Sequence, residues 1–423
     1  MPATSASSEH PDRVGETAGE DAQVSADRRR ARWALQSLFF FSADQTGIGP
    51  FFGVFLAQHG WRTGMMGTVM TLGGLAGLLV TTPAGALVDA TTRKRTYVIV
   101  SCLFAVGTSL MIWASQSVWV VGASQVMGAV GGAAIGPAMM GLTLGVFRRS
   151  GFDAQNGRNQ AFNHAGNVLG AAISGLIGWK FGFGAVFLMG IGLGSLSIAS
   201  TLAIPRAAVD DAAARGLAVK AGEEKQPRGL EVLFQCRPLL ALAACLVMFH
   251  LGNGAMLPLY GLAVVQAHKA DPAMFAAMVV VVAQVVMVVA SLVGARLIKA
   301  RGYWLVVLVT FAVLPLRCVL AASLITFWGV FPVQVLDGIA AGLQGVAVSG
   351  LIVRLLDGTG RINAGQGAIG TAQGIGASLS PAIGGWLAQA FGYPTAFIVL
   401  GALPLGSVAL WLACGPMIRK ASA

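Results

Sequence analysis

From Trp33 to the carboxy terminus, apolar stretches of roughly twenty residues recur about every thirty positions, divided by short breaks rich in charge, Pro or Gly. A stretch of that length is what an α-helix needs to cross the hydrocarbon of a bilayer. The pattern predicts twelve spans, at 34–57, 64–88, 96–114, 118–146, 160–179, 185–204, 239–265, 273–297, 303–325, 328–352, 364–390 and 395–413. Runs such as Met274 to Leu297 are apolar on every face, whereas a transmembrane barrel alternates apolar and polar positions over segments of about ten residues. The expected fold class is an all-α membrane protein.

Polar segments divide the chain further. Residues 1–32, rich in Ser, Ala, Asp and Glu and without an apolar core, read as an unstructured cytoplasmic tail, and 415–423 as a short one. Residues 205–237, with Asp210, Asp211, Glu223, Glu224 and several Lys and Arg, read as a linker between six spans (33–204) and six more (238–414). At an offset of 210 residues the second half echoes the first: Gly128 meets Gly338, Gly132 meets Gly342, Gly166 meets Gly376, and Phe181-Gly182 meets Phe391-Gly392. Near the start of each half the offset slips to 208, where Pro50 and Gly53 meet Pro258 and Gly261. A weak repeat of six spans predicts two pseudo-symmetric six-helix bundles, with any solute site between them near mid-membrane.

Composition agrees with a life in lipid: 56% of the 423 residues are hydrophobic, 11% are charged, and the mean hydropathy is +0.74. The net charge of +11 reports topology. All of the 28 Lys and Arg except Arg62, Lys180, Lys269 and Arg317 fall on the side of the two termini and the middle loop, which the positive-inside rule makes cytoplasmic. Clusters such as Arg28-Arg29-Arg30 suit contact with anionic lipid, and no nucleic-acid partner is expected. The five cysteines have no paired or metal-ligand spacing, and there is no Walker-type glycine loop, so no cofactor or metal is expected, nor ATP-driven pumping by this chain alone.

The loop after the second span reads GALVDATTRKR, Gly85 to Arg95. Here the chain resembles the major facilitator superfamily, whose signature in this loop is a Gly, an Asp four residues on, and a closing basic cluster. Gly85, Asp89, Arg93, Lys94 and Arg95 fit, while Ala90 and Thr92 depart from the usual Arg and Gly. The resemblance implies a gate that stabilises the outward-open state and breaks when the inner side opens. Physically, Gly85 permits close helix approach, Asp89 ends a helix, and the basic residues pair with it or with exposed carbonyls of neighbouring helix ends. Two patterns of the family's drug and proton antiporter branch are weak here: Ser124 stands four residues before Gly128 where that branch has an Arg, and Gly170 is followed by Ala171 rather than Pro.

Ionisable groups inside a bilayer are costly, which makes each a functional candidate. Asp44, followed by Gln45, lies about 16 Å into the first span at 1.5 Å per residue. It has three readings: a proton carrier, a contact for a cationic or polar substrate, or a structural partner. Arg317 and Asp337 each lie nine residues from the outer ends of the ninth and tenth spans, about 14 Å deep, so these antiparallel neighbours are placed to form a charge pair. Either the pair is structural, or a solute or proton breaks it, with Asp337 as the proton site and Arg317 as an anion contact. His250 and Asn253, in the seventh span, are candidate substrate contacts, and His164, assigned to the cytoplasmic end of the fifth, is an alternative.

These readings converge on a monomeric secondary transporter in a bacterial plasma membrane. It moves a small solute by alternating access and is expected to export an amphipathic compound with protons. Phe39, Phe40, Phe41, Phe51, Phe52 and Met256 suit an apolar cavity, and read equally as ordinary lipid-facing or packing residues. The alternative is an uptake symporter or facilitator for a polar or anionic metabolite, favoured if Arg317 faces the cavity. An intramembrane enzyme lacks a nucleophile motif and metal-ligand spacing. A transport-dead receptor is disfavoured by the intact Asp89 loop.

Overall fold

The computed structural model describes residues 12–214, 231–267, 271–356 and 362–422, and among these there is no strand. The amino-terminal half comprises α1 (Asp12–Gln58), α2 (Thr63–Ala90), α3 (Lys94–Ala114), α4 (Val118–Gly132), α5 (Ile135–Phe181) and α6 (Phe183–Ala203). Two short helices of the linker follow, α7 (Asp211–Ala214) and α8 (Glu231–Gln235). The carboxy-terminal half comprises α9 (Arg237–Asn253), α10 (Met256–Gln266), α11 (Pro272–Ser323), α12 (Val330–Leu355), α13 (Ile362–Phe391), α14 (Tyr393–Ala413) and a closing α15 (Gly415–Ser422). Residues 12–32 and 415–422, expected to be tails, are helical. The Ala-, Glu- and Arg-rich segment before the first span propagates a helix that the span has already nucleated.

Twelve crossings result because α5 turns back at Arg148 and α11 at Gly302, where the backbone leaves helical geometry. Arg148 has a positive φ of 53°, and its guanidinium is 3.2 Å from Asp210, in the linker segment tucked beneath the first leg of α5. Two crossings are broken instead of turned. Pro137 and Pro258 cannot donate to the carbonyls four residues back, and the helices part at Ala133-Ala134 and Gly254-Ala255. Eight stretches are long and apolar enough to cross a bilayer by composition alone, and one of these is the double-length α11. Among the described residues, the crossings outside those eight stretches are α1, the second leg of α5 and α13.

The repeat seen in the sequence corresponds to matched geometry. Gly182 and Gly392 form the sharp turns α5–α6 and α13–α14 with φ/ψ of 80°/168° and 81°/163°, a region that glycine enters at little cost. Gly166 seats α5 on the Phe40 carbonyl of α1, and its counterpart Gly376 seats α13 on the Val247 carbonyl of α9. Small residues let backbones approach this closely where lipid supplies no hydrophobic force between helices.

Candidate functional site

At the end of the molecule away from the termini, the halves are sealed together. Gly67 of α2 lies against the Pro381 carbonyl of α13, Gly74 against Ser378, and Gly385 against the Thr63 carbonyl. The Ala382 N–H donates to Thr71 Oγ1 (3.0 Å), Trp386 Nε1 to Thr68 Oγ1 (3.0 Å), and the Gly64 N–H to Gln389 Oε1 (3.2 Å). On the opposite flank Gly175 and Gly178 of α5 pack on Ala277 and Ala273 of α11. At the termini end the same helices have parted. A side chain added at Gly85, Gly367 or Gly370 would meet nothing within 4 Å. No described helix therefore packs on Gly85 in this conformation.

A cavity of about 1100 Å³ runs from that groove into the amino-terminal bundle. Its walls are the small-residue face of α2 (Gly73, Gly74, Gly77, Thr81), Ser101, Thr108 and Ser109 of α3, Ser124, Gln125 and Gly128 of α4, and Thr371, Gly374 and Ser378 of α13. Ser42 and Phe52 of α1 and Phe187 of α6 close it. No Asp, Glu, Lys or Arg is among its described walls. Of the six side chains expected to shape an apolar cavity, only Phe52 reaches it. Phe39, Phe51 and Met256 are buried in core packing instead. The hydroxyl and glycine wall was missed because Gly73, Gly77 and Thr81, four apart, read equally as a helix-packing stripe.

The charged candidates lie elsewhere. Arg317 is 1% exposed, and its Nη1 is 2.7 Å from Asp337 Oδ1 and 2.6 Å from Asn253 Oδ1. The charge pair inferred from equal depth is thus formed, with Asn253 as a third member, and none of the three borders the cavity. The Arg317 Nε and Nη2 groups are buried without an acceptor among the described residues, and both amide atoms of Gln334, one turn before Asp337, are buried there without a hydrogen-bond partner. His250 is 3.1 Å from Gln344 Oε1. His164 stands midway along the second leg of α5, which extends back to Arg148, and its Nδ1 is 3.2 Å from Gln284 Oε1 of α11 across the interface between halves. The side chains of Asp44, Gln45 and Asp89 lie outside the described residues.

The basic cluster of the α2–α3 loop is engaged within its own half. Lys94, 2% exposed, donates from Nζ to the Val88 carbonyl at the end of α2 (2.7 Å). Arg95 donates to the Thr201 and Leu202 carbonyls at the end of α6 (3.2 and 2.9 Å). Both place a cation on the negative end of a helix dipole and satisfy carbonyls that the helix leaves unpaired. Arg93 is exposed. Arg95→Ala is expected to destabilise the amino-terminal half by about 1 kcal/mol, and Arg93→Ala to leave it unchanged, as read by denaturant unfolding in detergent.

The family model of the Major Facilitator Superfamily matches residues 35–364. Two uncharacterized MFS-type transporters of Mycobacterium tuberculosis, from strains CDC 1551 / Oshkosh and ATCC 25618 / H37Rv, are each 37% identical over 397 residues, covering 93% of this chain and 94% of the relative. Two solved structures share the fold at 12% identity. The nucleoside transporter NupG aligns with a TM-score of 0.75 over 90% of this chain and 98% of its own. A bacterial homolog of the human lysosomal transporter Spinster, in an inward-facing and unoccupied conformation, aligns with a TM-score of 0.77 over 94% and 98%. With twelve crossings in two related bundles, the signature loop at Gly85 to Arg95 and relatives matched along nearly its whole length, this chain is a transporter of the major facilitator superfamily.

Proposed function

We propose that the protein exports an uncharged or weakly charged amphipathic compound from the cytoplasm in exchange for protons, as a monomer in a bacterial plasma membrane with both termini cytoplasmic. The observation that carries this reading is the cavity: about 1100 Å³, apolar over most of its wall, dotted with hydroxyls, and free of described charged side chains. Such a wall holds a drug-sized apolar body and orients it by a few hydrogen bonds. With the termini cytoplasmic, the groove between α2 and α13 opens inward, where an exporter loads. Asp44, two residues past the cavity-lining Ser42, is the proposed proton carrier, with Asp337 as a second site. The alternative of anion uptake needs Arg317 at the cavity, and its burial against Asp337 and Asn253 speaks against that.

The test is proton movement on adding amphipathic fluorescent dyes to proteoliposomes, comparing the unmodified protein with Asp44→Asn. Proton flux that disappears in D44N supports exchange through Asp44. Dye movement at an unchanged rate in D44N, with no proton gradient imposed, rejects coupling and makes the protein a facilitator. Filling the cavity with Gly77→Phe, at a position packed on Ala129, is expected to reduce dye transport at least about tenfold. Full transport by G77F would place the solute elsewhere.

A further inference from the structure

The seventh crossing is broken at Gly254-Ala255, and a polar side chain pins it on each side. On one side Asn253, the last residue of α9, accepts from Arg317 Nη1 at 2.6 Å. On the other, the Ala255 N–H, set free by the break, donates to Ser380 Oγ at 2.8 Å, and Ser380 is fully buried. Ser380 belongs to the short α13 segment that closes the far end: Ser378 faces Gly74, the Pro381 carbonyl faces Gly67, and the Ala382 N–H donates to Thr71. The ion pair, the break and the gate are therefore joined through two hydrogen bonds and one helix.

We propose that Asn253 and Ser380 are positioning residues that couple the Arg317–Asp337 pair to the gate between α2 and α13. The reason lies in how Arg317 is held. The hydrogens of one nitrogen, Nη1, are divided between Asp337 of α12 and Asn253 of α9, while Nε and Nη2 are buried without acceptors among the described residues. A guanidinium with spare donors turns toward whichever acceptor remains when one is lost. Neutralising Asp337 shifts the hold of Arg317 to Asn253 and draws on the break. Because Gly254 packs on Ala377 and Ser380, the break moves only with α13. A helix interrupted beside a buried charge is an element with two arrangements, and its bias is what a coupling argument requires. Neither Asn253 nor Ser380 borders the cavity, so both act without touching solute.

This inference rests on the alternating-access reading and is independent of which residue carries the proton. The experiment uses full-length protein in lipid nanodiscs with Cys236 and Cys414 replaced by serine and spin labels at Arg62→Cys and Ala390→Cys, both exposed beside the far-end gate. Pulsed electron spin resonance reads the fraction of open gate. Asp337→Asn is expected to raise that fraction at least threefold, and the rise is expected to vanish when Asn253→Ala or Ser380→Ala is added. A threefold rise that survives either substitution overturns the coupling. A gate that opens on lowering the pH from 8 to 5 but ignores D337N also overturns it, while leaving alternating access intact. A gate distance that no condition changes overturns both. Thermal stability and monodisperse elution of each variant separate these results from misfolding, and N253A and S380A disturb different contacts.

Discussion

Asp337→Ala is expected to destabilise the carboxy-terminal bundle by about 3–5 kcal/mol, because it leaves the Arg317 charge buried with Asn253 as its one remaining partner among the described residues. Replacing both charges together, R317M with D337L, is expected to recover most of that loss. Well-packed apolar groups avoid the desolvation that the ion pair only partly offsets, and three polar N–H groups of Arg317 already lack acceptors among the described residues. Unfolding titrations in detergent measure both. Transport by the double variant then decides the role of the pair. If it is stable and transports at the unmodified rate, the pair is structural. If it is stable but inactive, the pair belongs to the transport cycle, as the coupling proposed through Asn253 and Ser380 requires.

The second large effect is expected at Gly67. A Cβ there meets the Pro381 carbonyl and the Ala382 backbone, neither of which can turn aside as a flexible side chain would. Gly67→Ala is expected to cost the closed far end about 2 kcal/mol, a shift of roughly thirtyfold in the ratio of closed to open forms. Gly67→Val is expected to abolish transport by preventing closure. Alkylation of a cysteine placed at Thr68, which accepts from Trp386 in the closed gate, reads the opening directly. Gly261→Ala is the control, since nothing lies within 4 Å of the added carbon. If Thr68→Cys stays protected in G67V while transport persists, the contact between α2 and α13 is not a moving gate.

Much of this architecture was legible from the chain. Twelve crossings follow from hydropathy because a bilayer imposes one length on every helix, and the two halves follow from Gly166/Gly376 and Gly182/Gly392, positions where a side chain would break the packing or the turn. Arg317 and Asp337 could be paired from depth alone, since helix rise is fixed and charges in hydrocarbon have few alternatives. Asn253 was named, but as a substrate contact. Its bond to Arg317 is a contact between α9 and the second leg of α11, which helix rise along one chain does not give.

The cavity was not legible. In lipid a helix gains nothing from turning one apolar face inward instead of another, so hydropathy leaves its rotation undetermined. That Gly73 and Gly77 meet α4 while Gly74 meets α13, and that all three also border the cavity, was decided by tertiary packing. The same holds for His164. Sequence placed it at the cytoplasmic end of the fifth span, and only the packing of α5 on α11 brought it to Gln284 in the other half. The sequence by itself determined the number of crossings, their kinship across the two halves and the depth of each charge, because these are one-dimensional quantities set by helix rise and bilayer thickness. Tertiary structure alone decided where the halves seal, where they part and what the cavity is made of, because those depend on how helices of nearly uniform apolarity rotate and interlock.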